Sequence, residues 1–185
     1  KTTLFVGANN SGKTSAMDAL GKFLADRNFN FNDITISKRS AINKIGDSWI
    51  QEDSKEPTTL MEWESLVPKM DIWLDVERDE IHYVANIIPT LKWRGGKLGT
   101  RLAFLPKDIS KLFADYREEY FAARRAETAK KNVEIRLYPK NLCEFLEKNL
   151  NAYFSIKTYI LDAAREETEI PQETPFEMEC FIDNP

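Results

Sequence analysis

Apolar and polar positions along this chain change their period several times, and each change predicts an element. Leu4, Phe5 and Val6 form a short apolar run ending at Gly7, the pattern of a buried parallel strand. From Thr14 onward Met17, Leu20, Phe23 and Leu24 recur at helical spacing. The segment between them therefore joins a strand to a helix. Residues 28–40, rich in Asn, Asp and Ser, predict a loop with a short strand at Ile34–Ile36. Asp47–Thr58 reads as a polar connection. Thr59 with Glu62 three residues on predicts a capping box, opening a short helix that runs to Leu66 and closes at Pro68.

The period then becomes two. Met70, Ile72, Leu74 and Val76 share one face of a strand over Met70–Val76, and the charged turn Glu77–Glu80 leads to a second strand, Ile81–Ile88, as a hairpin. Pro89 ends it. Gly95-Gly96 supplies a further turn, and a third strand runs through Leu98, Arg101, Leu102 and Phe104 to Pro106. Asp108 caps a long helix with the apolar stripe Ile109, Leu112, Phe113, Tyr116 and Tyr120, ending in the polar run Ala126–Asn132. Asn141 caps another that buries Leu142, Phe145, Leu146 and Leu150, and Tyr153–Leu161 resumes a strand pattern. Arg165–Pro175, rich in glutamate, reads as a solvated linker. The expected fold is mixed α/β (α+β). A strand-loop-helix unit occupies 1–40, an antiparallel sheet 68–106, a helical subdomain 107–152, and a strand and linker 153–185.

Composition narrows this picture. With 185 residues, 42% hydrophobic, the chain can bury one core. It carries no apolar run of about 20 residues and no secretory leader, so no membrane partner and a cytoplasmic location are expected. Cys143, Cys180 and the single histidine, His82, cannot supply four ligands to a zinc ion, and both cysteines read as reduced. A net charge of -4 gives no global reason to bind nucleic acid. The chain opens at Lys1, just before the first motif, and closes on the apolar Cys180-Phe181-Ile182, so it reads as part of a longer polypeptide.

The candidate chemistry lies at Gly7-Ala8-Asn9-Asn10-Ser11-Gly12-Lys13-Thr14, which matches the phosphate-loop pattern G-x-x-x-x-G-K-[ST] in full. Gly7 and Gly12 allow backbone turns and a close phosphate approach that a Cβ would hinder. Successive amides, with the N-terminus of the following helix, then face the phosphate oxygens. Lys13 is the candidate catalytic residue, reaching the β- and γ-phosphates of ATP, and Thr14 the candidate ligand of Mg2+. Ser15 completes the candidate cofactor-binding set. Chance produces such a match in under about 1% of chains this long. The acidic strand end that hydrolysis also needs is unassigned, since Ile72-Trp73-Leu74-Asp75, the nearest imitation, reads as a hairpin strand.

Leu4 to Ser15 resembles the opening of ATPases related to chromosome-maintenance and recombination-repair proteins. Its double asparagine before Ser-Gly-Lys-Thr is similar to the OLD (overcoming lysogenization defect) family, which joins such an ATPase to a C-terminal TOPRIM nuclease. Asp71–Val76, Trp93–Arg101 and Leu142–Leu146 resemble the same family's sheet and helical subdomain. The resemblance implies an ABC-type ATPase head, incomplete in this chain, with its signature, second acidic motif and nuclease residues after Pro185. It also implies a homodimer or higher homo-oligomer through that head, DNA as a partner, a second defence protein, and a role in anti-phage defence such as the Gabija type. An ATP-sensing or assembly module with little hydrolysis fits the same loop.

Other residues admit plainer readings. Lys92, Arg94, Lys97 and Arg101 with Trp93 suit either DNA phosphates or a solvated hairpin turn. Arg124, Arg125, Lys130 and Lys131 suit a helix C-terminus. His82 reads as a strand residue, Cys143 as packing, and Asp71, Asp75, Glu77, Asp79 and Glu80 as charge on an exposed strand and turn.

Overall fold

In a computed structural model, residues 12–51, 56–88, 90–129 and 137–161 are described. The Leu4–Val6 strand and the 165–175 linker lie outside them. Helix α1 spans Lys13–Gly21, continues through a π-helical turn at Lys22–Asp26, and stops where Arg27 takes a left-handed φ of 51°. The expected helix is present, but its apolar spacing is not a core stripe. None of Lys13–Gly21 is buried, Met17 and Leu24 stay exposed, and Phe23 alone enters the core.

The strand expected at Ile34–Ile36 does not form. Asn30 caps a 3-10 turn at Phe31–Asp33, its side chain accepting the Asn32 amide at 2.9 Å, and helix α2 follows at Ile36–Trp49. Ile42, Ile45, Gly46 and Trp49 recur at helical spacing and are all buried. Helix α3, Leu60–Glu64, opens on the expected capping box, in which the Glu62 carboxylate accepts the Thr59 amide at 3.4 Å.

Strand β1, Lys69–Val76, forms as its alternation predicts. The hairpin with Ile81–Ile88 does not. The Glu80 carboxylate accepts the Glu77 amide at 3.1 Å and the Glu80 carbonyl accepts the Tyr83 amide at 2.9 Å, winding Ile81–Ile87 into 3-10 turns. The partner of β1 is β2, Gly96–Pro106, antiparallel with Ile72 opposite Thr100. The other edge of β2 pairs antiparallel with β3, Phe154–Leu161, Thr100 facing Ile160. Among the described residues the sheet order is β1-β2-β3. The central β2 is buried on both faces from Leu98 to Pro106, so burial rather than local β-propensity decides the pairing that Ile81–Ile88 loses.

Helices α4, Ile109–Ala129, and α5, Leu142–Tyr153, match expectation, caps included. Asp108 accepts the Lys111 amide and Asn141 the Glu144 amide, both at 2.9 Å. Leu112 and Tyr116 of α4, Leu142, Phe145 and Leu146 of α5, and Leu102 and Phe104 of β2 share one buried cluster with Trp49 and Trp63. Aromatic edges lock it, as where Trp63 meets Phe154 with ring centroids 5.3 Å apart.

Candidate nucleotide site

Of the phosphate-loop residues, Gly7, Ala8, Asn9, Asn10 and Ser11 lie outside the described residues. Gly12, Lys13, Thr14 and Ser15 form the start of α1. Gly12 is its N-cap with φ 81° and ψ 7°, a left-handed turn that a side chain would strain, although a Cβ there would meet open space. Backbone conformation, not crowding, requires glycine here. The Gly12 carbonyl accepts the Ala16 amide at 2.9 Å, so the helix begins at once.

Among the described residues no side chain caps α1, and its first turn carries no acidic residue. The orphan amides of a helix start carry partial positive charge, and a carboxylate there would occupy them or repel an anion. Thr14 and Ser15 are exposed and Lys13 half-buried, so all three side chains stand at the helix mouth. The residues present fit a nucleoside triphosphate with Mg2+: a left-handed glycine, an acid-free helix start, a lysine and a hydroxyl.

Residues 1–174 match the AAA ATPase domain family. The chain belongs to that family. Comparison with curated proteins and with solved structures gave no significant match. Membership of an AAA ATPase domain family implies the use of a nucleotide, usually with Mg2+.

The remaining candidates separate. Arg101 does not belong to a basic loop: it is 6% exposed, and forks onto Asp71 with Nε and Nη2 at 2.7 and 2.8 Å while Nη1 reaches Glu64 at 2.8 Å. The hydrogen bonds and charge of Asp71 and Glu64 outweigh burial and hold its guanidinium protonated even more firmly than usual. Lys92, Arg94 and Lys97 remain exposed, and Arg94 Nη1 donates to the Leu91 and Trp93 carbonyls at 3.0 and 3.2 Å, bracing its own loop. Arg124 lies over the Tyr120 ring and donates to its hydroxyl at 3.1 Å, while Lys130 and Lys131 lie outside the described residues.

His82 sits in the 3-10 segment rather than a strand, exposed, its ring 3.9 Å from that of Tyr83. Cys143 is packed as expected: its thiol donates to the Arg39 carbonyl at 3.3 Å, and burial pushes it up to about 11. The acidic cluster disperses, Asp71 serving Arg101 and Glu80 its own turn. Among the described residues no three His, Cys, Asp or Glu side chains converge on a metal position. No described helix is long and apolar enough to cross a membrane.

Sequence reasoning missed the residues that attach α1 to the rest of the domain. Phe29 stacks on Phe104 with centroids 4.3 Å apart, and Asn151 holds the Phe29 backbone. The Phe23 and Phe29 pair past the end of the helix was a local hint. Asn151 had none, because its partners are more than a hundred residues away.

Proposed function

We propose that this chain binds ATP with Mg2+ through Gly7–Ser15 and forms the nucleotide-binding front of an OLD-like, ABC-type ATPase. Its assembled homo-oligomer hydrolyses ATP to regulate DNA cleavage or processing, including in anti-phage defence. The observation that carries the nucleotide reading is Gly12, turned left-handed into an acid-free helix start inside a complete phosphate-loop sequence. The DNA and defence parts rest on the resemblance of Leu4–Ser15 and the later segments to that family.

Bound ATP and Mg2+ would supply the transferable phosphoryl group and a bridging positive charge. Around them the residues have separate tasks. The amides at the start of α1 orient the phosphates, and Lys13 places its charge where negative charge grows on the β- and γ-oxygens. Thr14 presents its hydroxyl to the metal position. Lys13→Ala is expected to abolish hydrolysis in the full-length protein with the fold intact, as read by ATPase kinetics and circular dichroism. Normal turnover in a folded variant would overturn the site.

One observation favours a second reading, a sensor or assembly module that hydrolyses slowly. Ile72–Asp75 lies on β1, an antiparallel strand far in sequence from the loop, with Asp75 paired across to Lys97 in register. We read Asp75 as a residue of the sheet rather than the strand-end acid of a catalytic site. Residues 1–185 alone are therefore expected to bind nucleotide but to turn over far below about 1 per second, a rate within the ordinary enzyme range. Turnover near that rate would show a complete site in this chain.

A further inference from the structure

We infer that Asn151, at the end of α5, is a positioning residue that seats the nucleotide helix α1 on the body of the domain through the Asn28–Phe29 backbone. The inference rests on reading Gly7–Ser15 as the ATP site. No residue of α1 is fully buried, so its own packing leaves its direction weakly fixed. The segment just beyond its C-terminal end, by contrast, is anchored in the core.

This segment comprises a π-helical turn, a left-handed Arg27, and then Phe29, which is 3% exposed. Phe29 stacks on Phe104 of β2 and receives the edge of Phe23 with centroids 5.0 Å apart. Its backbone is held from both sides by one carboxamide. Asn151 Oδ1 accepts the Phe29 amide at 3.4 Å, and Nδ2 donates to the Phe29 carbonyl at 2.7 Å and to Asn28 Oδ1 at 2.8 Å. A neighbouring strand would offer the same donor and acceptor. Asn151 is itself braced, since its own carbonyl accepts Lys107 Nζ at 2.8 Å and the Lys107 amide donates to the Tyr153 carbonyl at 2.8 Å. Lys22 paired with Asp33 supplies a second tie across the π-turn.

The lever is long. Nine residues separate Lys22 from Lys13, about 13 Å of helix, so a tilt of about 5° at the joint moves the Lys13 backbone by roughly 1 Å. Displacements of about 1 Å at a reacting centre cost on the order of a hundredfold in rate. A π-turn at this joint suits the role, because such turns interrupt the regular helical ladder and recur at functional sites.

Asn151→Asp keeps the shape and the acceptor but removes both donors. Hydrogen exchange on the nucleotide-free protein should show α1 amides, residues 16–21, opening about tenfold faster with β2 amides unchanged, the size expected from losing one or two hydrogen bonds. ATP titration with Mg2+ should show a dissociation constant raised by a similar factor. Phe29→Leu, which keeps the backbone bonds but loses the stack, should give the same signature. Unchanged α1 exchange in both variants, or equal acceleration in α1 and β2, would overturn the assignment. If the parent protein itself binds no ATP, the nucleotide reading falls, and the exchange pattern alone decides whether Asn151 seats α1.

Discussion

Trp73 on β1 lies across Gly99 on β2, its indole filling the space where a side chain on Gly99 would stand. The pair is directly opposite in register, so the glycine is required by the ring rather than by a turn. Gly99→Ala should destabilise the fold by about 1–3 kcal/mol, the usual cost of overpacking. Trp73→Val should relieve part of that cost, giving a coupling on the order of 1 kcal/mol in a double-mutant cycle followed by urea denaturation. Additive effects would mean that the ring and the glycine do not depend on each other.

Arg101 joins β2 to β1 and α3 by a fork with side-chain exposures of 7% for Arg101, 14% for Glu64 and 36% for Asp71. Arg101→Leu should cost about 3 kcal/mol, because Glu64 is left charged with little water while Asp71 rehydrates. Adding Glu64→Leu should restore more stability than adding Asp71→Leu. The reverse order in chemical denaturation would place the weight on the exposed partner instead.

Thr14→Ala should lower the Mg2+-dependent part of ATP affinity while leaving the Mg2+-independent part near that of the parent. Calorimetric titrations with Mg2+ and with EDTA separate the two. Identical metal dependence in both proteins removes Thr14 from the metal position.

Cys143 makes alkaline stability testable. The unfolded thiol ionises near 9 and the buried one at about 11. In that interval the unfolded chain binds fewer protons, so stability is fully present below about pH 9 and declines as pH rises towards about 11. The loss is on the order of 2 kcal/mol. Cys143→Ala should flatten this part of the profile, and in a Cys180→Ser background a thiol reagent at pH 8 should label the parent only as it unfolds. Rapid labelling of folded protein would show the thiol to be accessible.

The outcome at α2 shows where the pattern in the chain was hard to read. Ile42, Ile45 and Trp49 keep helical spacing, but serines, Asn43 and a glycine dilute it. Gly46 lies at the α2–α5 crossing, where a Cβ would stand 2.6 Å from that of Leu142. A residue that weakens the local helix signal serves a contact made a hundred residues later. Ile81–Ile88 failed for the opposite reason: its strand propensity is local, and pairing depends on which segment can be buried on both faces. Caps at Thr59, Asp108 and Asn141 were legible because a cap is satisfied within a few residues. The first half of the phosphate loop lies outside the described residues, whereas Gly12 adopts the left-handed turn that the motif's chemistry asks of it.

The attachment of α1 orders events during synthesis. Helix α1 is made early in this stretch of chain, yet Phe104 follows only with β2, and Asn151 only when α4 and nearly all of α5 have been made. Until then the Asn151 contacts to Phe29 do not exist, and the phosphate-loop sequence precedes Asn151 by more than a hundred residues. Sequence-distant closures of this kind are slow steps in folding. Premature release of the growing chain before α5 would leave a complete phosphate-loop sequence on a helix with no fixed bearing.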